Sequence, residues 1–173
     1  PEDDHTLAGT QCYVTGQGTV GGDPGTNDVD GGKTTLLSPL FSLCGDSTVG
    51  YWPWYSNTAG AAPNADIFTV DISSNGGTDW VNGEIVGPTG PETPGGWFYH
   101  EFSVRDFVVP SEAMKMRFVA SDLGSGSIIE AAVDDFQVIT SVYKDAPKVV
   151  NAFRSGNGLG WHEHDPDLYE GTE

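Results

Sequence analysis

Three acidic runs are the residues of this chain best suited to chemistry: PEDDHT at residues 1–6, DVDGG at 28–32 and VDD at 133–135. Carboxylates interleaved with glycine supply flexible oxygen donors, and calcium takes about six to eight of these. If the three runs meet in space, they would enclose such a cation. The DVDGG run is no EF-hand, because the spacing to a bidentate glutamate is missing. Its acids could equally be solvated turn residues, since Asp favours tight turns.

Other chemistry finds less support. No G-x-S-x-G elbow is present, and GSGS at 124–127 lacks that spacing. His5, His100, His162 and His164 could each act as a base, but nothing pairs any of them with a Ser or Cys. Glu101, Glu130 and the Asp runs could furnish a carboxylate pair, yet among 25 acidic residues any spacing can be found. In the tail, His162, His164 and Asp165 suggest zinc. The His-x-His-x-Asp-His pattern of metallo-β-lactamase-type lactonases, however, wants Asp where Pro166 stands and ends on a His that is missing here. The run YWPWYS at 51–56 offers rings for stacking on sugars: Trp52, Trp54 and Tyr55, with Tyr51 beside them and Trp80 and Trp97 as neighbours. One face of such a strand must pack inward, so at most half of these rings are available.

These residues need a scaffold. At 173 residues the chain suits one domain with a sizeable core. Seven basic residues against 25 acidic give a formal charge of -18, which disfavours nucleic acid and anionic membranes and favours divalent cations. No window is long and apolar enough for a membrane span, and no signal-peptide pattern opens the chain. A start at Pro1 reads as a mature or trimmed fragment. Cys12 and Cys44 permit one disulfide or two buried thiols. A turn-rich, lysine-poor chain fits a secreted or cell-surface setting.

Runs of β-branched and aromatic residues between Gly, Pro, Asn and Asp clusters predict eight strands: 11–15, 34–43, 49–57, 66–73, 80–87, 96–104, 114–122 and 128–139. The expected fold is all-β, an antiparallel two-sheet β-sandwich over residues 1–139, with a short irregular or helical tail over 140–173. Alternation sets Phe68, Val70 and Ile72 against Ile67, Thr69 and Asp71, and Met116, Phe118 and Ala120 against Arg117, Val119 and Ser121. In the last strand strict alternation gives each face one Asp, Asp134 on one and Asp135 on the other. A carboxylate on a buried face needs a partner, and a metal ion is what a base-poor chain can best supply.

Residues 1–139, through PEDDHTLAGTQCYVTG, NDVDGGKTTLLSP, YWPWYSN, DIFTVDISSNGG, GGWFYHEFSV and AAVDDFQVI, resemble the MAM-like jelly-roll modules of large bacterial secreted and surface proteins. That resemblance implies a calcium-bearing jelly roll used in adhesion or carbohydrate recognition. It also implies Asp4, Asp28, Asp30 and Asp135 as side-chain ligands to Ca2+, with Thr6 or a glycine carbonyl completing the shell. Full modules carry a further strand before PEDDHT. Its absence predicts an open sheet edge, filled by a second copy or by the tail through Val149, Val150 and Phe153. Residues 149–173 resemble a linker segment of bacterial class I methyltransferases without the glycine-rich cofactor loop, so the tail reads either as a chimeric reading frame or as a natural extension.

Two functions follow. One is a noncatalytic, calcium-stabilised module recognising glycans or cell-surface proteins. The alternative is a small metal-dependent hydrolase of esters or lactones, such as acyl-homoserine lactones, with the metal activating water.

Overall fold

A computed structural model of the chain describes residues 4–6, 9–19, 21–23, 25–43, 45–124, 126–139, 147–148, 150–152 and 154–156. Nine strands follow in order: β1 (Tyr13–Val14), β2 (Gly32–Leu37), β3 (Thr48–Gly60), β4 (Phe68–Ser73), β5 (Val81–Val86), β6 (Pro94–Trp97), β7 (His100–Ser103), β8 (Lys115–Asp122) and β9 (Ser127–Ile139). All pairings are antiparallel. One sheet runs β1-β9-β3-β6, with β7 also on β3, and the other runs β2-β8-β4-β5. The expected all-β sandwich is therefore the architecture. The segment predicted as one strand over 96–104 is two, broken at Phe98 and Tyr99, where the chain turns a corner along β3.

The faces follow the alternation in most strands. Phe68, Val70 and Ile72 of β4 and Met116, Phe118 and Ala120 of β8 are buried between the sheets, as the pattern predicts. On the opposite face of the second sheet, Arg117 bonds Asp71 at 2.7 Å and lies 4.5 Å above the ring centre of Trp80. Trp80 is thus held on that sheet, away from the other tryptophans.

In β9 strict alternation fails. Gly50 pairs with Gln137 and Trp52 with Asp134, so β9 has two residues, Asp135 and Phe136, where β3 has only Tyr51. Asp135 takes up the extra residue as a bulge with φ 50°. Beyond it the faces exchange: Ile129, Ala131 and Val133 point inward before the bulge, and Phe136 and Val138 pack against the core after it. Asp134 is left on the outer face and Asp135 is exposed. The expectation that Asp135 lies on a buried face is corrected by this inserted residue, and with it the argument that its charge must be neutralised there.

The two long edges of the sandwich differ. At one, β5 faces β7 and the gap is closed by polar side chains: Glu84 accepts hydrogen bonds from Tyr51 and His100, and His100 Nε2 lies 3.0 Å from Glu92. At the other, β1 and β2 stand apart around a cleft of about 840 Å³ lined by Gln11, Cys12, Leu36, Leu37, Asp134 and Phe136. Cys12 is a free, half-buried thiol whose pKa is raised by burial and then by the charges of Asp134 and Asp4. Cys44 lies outside the described residues, as do Val149, Phe153, His162, His164 and Asp165. Val150, offered as cover for the open edge, is 45% exposed. Residues 147–148, 150–152 and 154–155 are helical. Among the described residues no helix is long and apolar enough to cross a membrane.

Candidate functional site

The side chains of β3 divide as a half-buried strand requires. Tyr51 and Tyr55 point inward and are 0% and 2% exposed, whereas Trp52 and Trp54 stand half-buried on the outer face of the first sheet. Tyr55, expected as a ligand-stacking residue, is therefore corrected to a core residue, packed tilted against Phe68. Trp54 is directly opposite Trp97 of β6, and Tyr99, from the corner between β6 and β7, completes the outer row.

Two glycines decide how these rings lie. A Cβ built on Gly50 would fall 2.6 Å from the hydroxyl of Tyr99 and 3.2 Å from its ring carbons, so the tyrosine ring rests directly over the glycine backbone. A Cβ on Gly95 would meet Trp54 at 2.6 Å, with two more ring atoms within 3.2 Å. Rings seated on glycines can lie close to the sheet and turn a π face outward, an arrangement larger residues at those positions would prevent. The Tyr99 hydroxyl donates to Glu101 at 2.9 Å, which fixes the outer end of the row.

The opening segment covers the other end. His5 stacks on Trp52 with ring centres 3.5 Å apart and 18° between planes, and meets Trp97 edge-on at 6.2 Å. It is held there by Asp134, whose carboxylate accepts the backbone N–H of His5 at 2.9 Å and of Thr6 at 3.3 Å. Asp4 in turn accepts the Thr6 hydroxyl at 3.2 Å and the Gln11 N–H at 3.1 Å. Asp134 and Asp4 thus act as clasps for the chain. The sequence singled out Trp52 and Trp54 for this row but not Tyr99 or His5, since the corner at 98–99 with the seat on Gly50 brings Tyr99 there and the bond to Asp134 brings His5.

Among the described residues the first and third acidic runs come together, and the second stands apart from them. Val29 pairs with Ile129, so Asp28 and Asp30 sit near the start of β9, while Asp4 is linked to Asp134 five residues further along. At about 3.4 Å per residue the two groups are about 17 Å apart, too far to share one ion. Asp4 and Thr6 stay together, Asp135 is exposed on its bulge, and Asp30 is exposed. Asp28 is half-buried, and its pKa is raised by burial, then by Asp30, Asp122 and Asp23, against the lowering effect of its own backbone.

Nothing among the described residues favours the hydrolase alternative. His100, the histidine most deeply set among carboxylates, has both ring nitrogens occupied by Glu84 and Glu92, which leaves neither to take a proton from a nucleophile.

No protein-family model matches the chain. Among solved structures it is similar to two cleaved adhesin domains of Lys-gingipain from Porphyromonas gingivalis W83. The K1 domain is 15% identical with a TM-score of 0.43, covering 60% of this chain and 61% of that one. The K3 domain is 18% identical with a TM-score of 0.44, covering 61% and 62%. The chain thus spans less than two thirds of either adhesin domain. It is also similar to a family 16 carbohydrate-binding module, at 11% identity and a TM-score of 0.42, covering 78% and 79%. What the outer face can do must be read from its own residues.

Proposed function

We propose that the chain is a noncatalytic binding module that holds carbohydrate on the outer face of its first sheet, with Trp54, Trp97 and Tyr99 as the contact rings. The observation that carries this reading is the seating of Trp54 and Tyr99 on Gly95 and Gly50, which lays both rings close against the outer face of the sheet. Sugar rings present axial C–H groups that stack on aromatic faces, and the carboxylate of Glu101 beside them accepts hydroxyl hydrogen bonds. A strongly acidic surface disfavours anionic glycans, so the expected ligands are neutral polysaccharides. The resemblance of residues 1–139 to MAM-like modules supports a secreted or cell-surface setting for such a module.

The test is calorimetric titration of the protein with a panel of neutral and acidic oligosaccharides, followed by the same titration of variants. Trp54→Ala and Tyr99→Ala should each weaken binding by about tenfold, or about 1.4 kcal/mol. Trp80→Ala, on the other sheet, should leave it unchanged. Absence of binding to every member of the panel, or equal loss in the Trp80 variant, would defeat the reading.

A further inference from the structure

Among the described residues, four buried oxygens at one end of the sandwich have no hydrogen-bond partner: Asp66 Oδ2, Asp122 Oδ1, Asn57 Oδ1 and the Tyr55 hydroxyl. They belong together. The β4–β8 register pairs Phe68 with Ala120, and two residues further along the same antiparallel register Asp66 comes beside Asp122. The Leu123 N–H donates to Asp66 Oδ1 at 2.8 Å and the Ser121 hydroxyl donates to the Ile67 carbonyl at 2.7 Å, which confirms that placement. Phe68 and Ala120 face inward, so Asp66 and Asp122, each an even number of residues away, also face the space between the sheets.

From the opposite sheet, Tyr55 and Asn57 are successive inward positions of β3. The Asn57 amide nitrogen donates to the Asp66 carbonyl at 2.7 Å and to the Pro88 carbonyl at 3.0 Å, which ties the Asn57 side chain to the residue that carries one of the carboxylates. Burial and then the charge of Asp66 raise the pKa of Tyr55, the neighbouring Asn57 side chain opposes that rise, and the charge of Asp122 adds to it.

Such an arrangement is costly as it stands. Asp66 is 4% exposed, Asp122 1% and Asn57 0%. Carboxylates directly opposite each other on neighbouring strands repel, and a buried unpaired charge costs several kcal/mol. Among the described residues the ion pairs of Arg105, Arg117 and His100 go to other acids. The donors present are all oxygens, two of them anionic. Zinc, which favours nitrogen and sulfur, is a poor match, and a hard divalent cation a good one.

We propose that Asp66, Asp122 and Asn57, with the Tyr55 hydroxyl beside them, form a calcium site that ties the two sheets together at this end. Asp122 Oδ2 also accepts the Gly31 N–H at 3.1 Å, so the ion would order the DVDGG loop through that bond, with Asp28 adding to the local negative field. This site is separate from the group of Asp4, Asp134 and Asp135, and it does not depend on what the aromatic face binds.

The experiment uses the full chain, stripped with EDTA and titrated with calcium chloride while thermal unfolding and calorimetric binding are followed. Calcium should raise the melting temperature. Asp66→Asn and Asp122→Asn, each nearly isosteric, should weaken binding by about tenfold or more, since site charge sets calcium affinity. Asp135→Ala should bind as the wild type does. Terbium in place of calcium gives a second readout on unaltered protein: its emission should be sensitised by tyrosine, and Tyr55→Phe should remove that tyrosine band without unfolding the chain. Three results would overturn the proposal. One is a melting temperature indifferent to calcium. Another is calcium binding lost in Asp135→Ala but kept in both Asn variants. The third is a metal-free protein stabilised by Asp122→Asn with no calcium response in the wild type, which would mean that the two carboxylates share a proton.

Discussion

Tyr99 lies over Gly50, with its hydroxyl 2.6 Å from where a Cβ on that glycine would stand. Gly50 is buried, and its φ is not among the positive values, so alanine suits its backbone and only the ring above objects. Gly50→Ala should lift Tyr99 off the sheet, cost about 1–3 kcal/mol of stability as overpacking does, and weaken carbohydrate binding. The stability cost should shrink in a Tyr99→Ala background. An equal cost with and without the ring, measured by urea unfolding of the four proteins in the cycle, would show that the two residues do not interact.

Asp135 occupies the left-handed region at φ 50° because β9 carries one more residue than β3 at this point. Glycine takes that conformation without strain, whereas a β-branched residue resists it. Asp135→Gly should be neutral or stabilising by up to about 1 kcal/mol, and Asp135→Val destabilising by more than about 1 kcal/mol. Denaturation midpoints of the two variants are the check. The same order should hold with calcium present or absent.

That bulge also marks the limit of what the sequence discloses. Strands β3, β4, β8 and β9 are legible because alternate apolar residues with turn signals at their ends leave few other structures, and Phe68, Val70, Ile72, Met116 and Phe118 are core residues as the pattern requires. A bulge leaves no compositional mark, since Val-Asp-Asp-Phe reads as alternation with a misplaced acid rather than as an inserted residue. The same holds for sites made by register. Asp66 and Asp122 lie 56 residues apart in sequence and read only as the end residues of two predicted strands until the β4–β8 pairing sets them side by side. Trp52 and Trp54 could be found by type and alternation, but how closely Trp54 and Tyr99 lie against the sheet depends on the glycines beneath them.

Arg117 serves two partners at once: its Nε donates to Asp71 at 2.7 Å and its guanidinium stands 4.5 Å above the Trp80 ring. Asn82 holds the other oxygen of Asp71 at 2.9 Å, so the carboxylate is fixed on both sides. Lysine keeps the charge but not the planar group that can bond edgewise and stack facewise. Arg117→Lys should therefore destabilise by about 1 kcal/mol, a modest value because the arginine is partly solvent-screened. Trp80 fluorescence should change in the same variant. A lysine variant as stable as the wild type would reduce this contact to a surface ion pair.

His100 sets the pH dependence, because it joins the two sheets through carboxylates on both sides of its ring. Its pKa is raised above the ordinary 6.5 chiefly by the hydrogen bond to Glu84, against burial, with the charges of Glu84 and Glu92 adding to the rise. A raised folded value means that its contribution is complete below about pH 6.5 and disappears as pH climbs through that higher value. Glu84 runs the other way. Burial alone would raise its pKa, but hydrogen bonds from His100 and Tyr51 outweigh burial and lower it below 4.5. Its contribution is complete above about pH 4.5 and is lost as pH falls through the lowered value. Both are whole only between about pH 4.5 and 6.5, so stability from urea midpoints should peak in that window. His100→Gln should flatten the alkaline side of the profile and cost about 1.5–3 kcal/mol within the window, the worth of a hydrogen bond to a charged group. Glu84→Gln should flatten both sides, because it removes the acceptor that raises His100 as well as the acid itself. If the His100→Gln profile kept the wild-type alkaline slope, another group would control that limb and the latch between β5 and β7 would not be a titrating one.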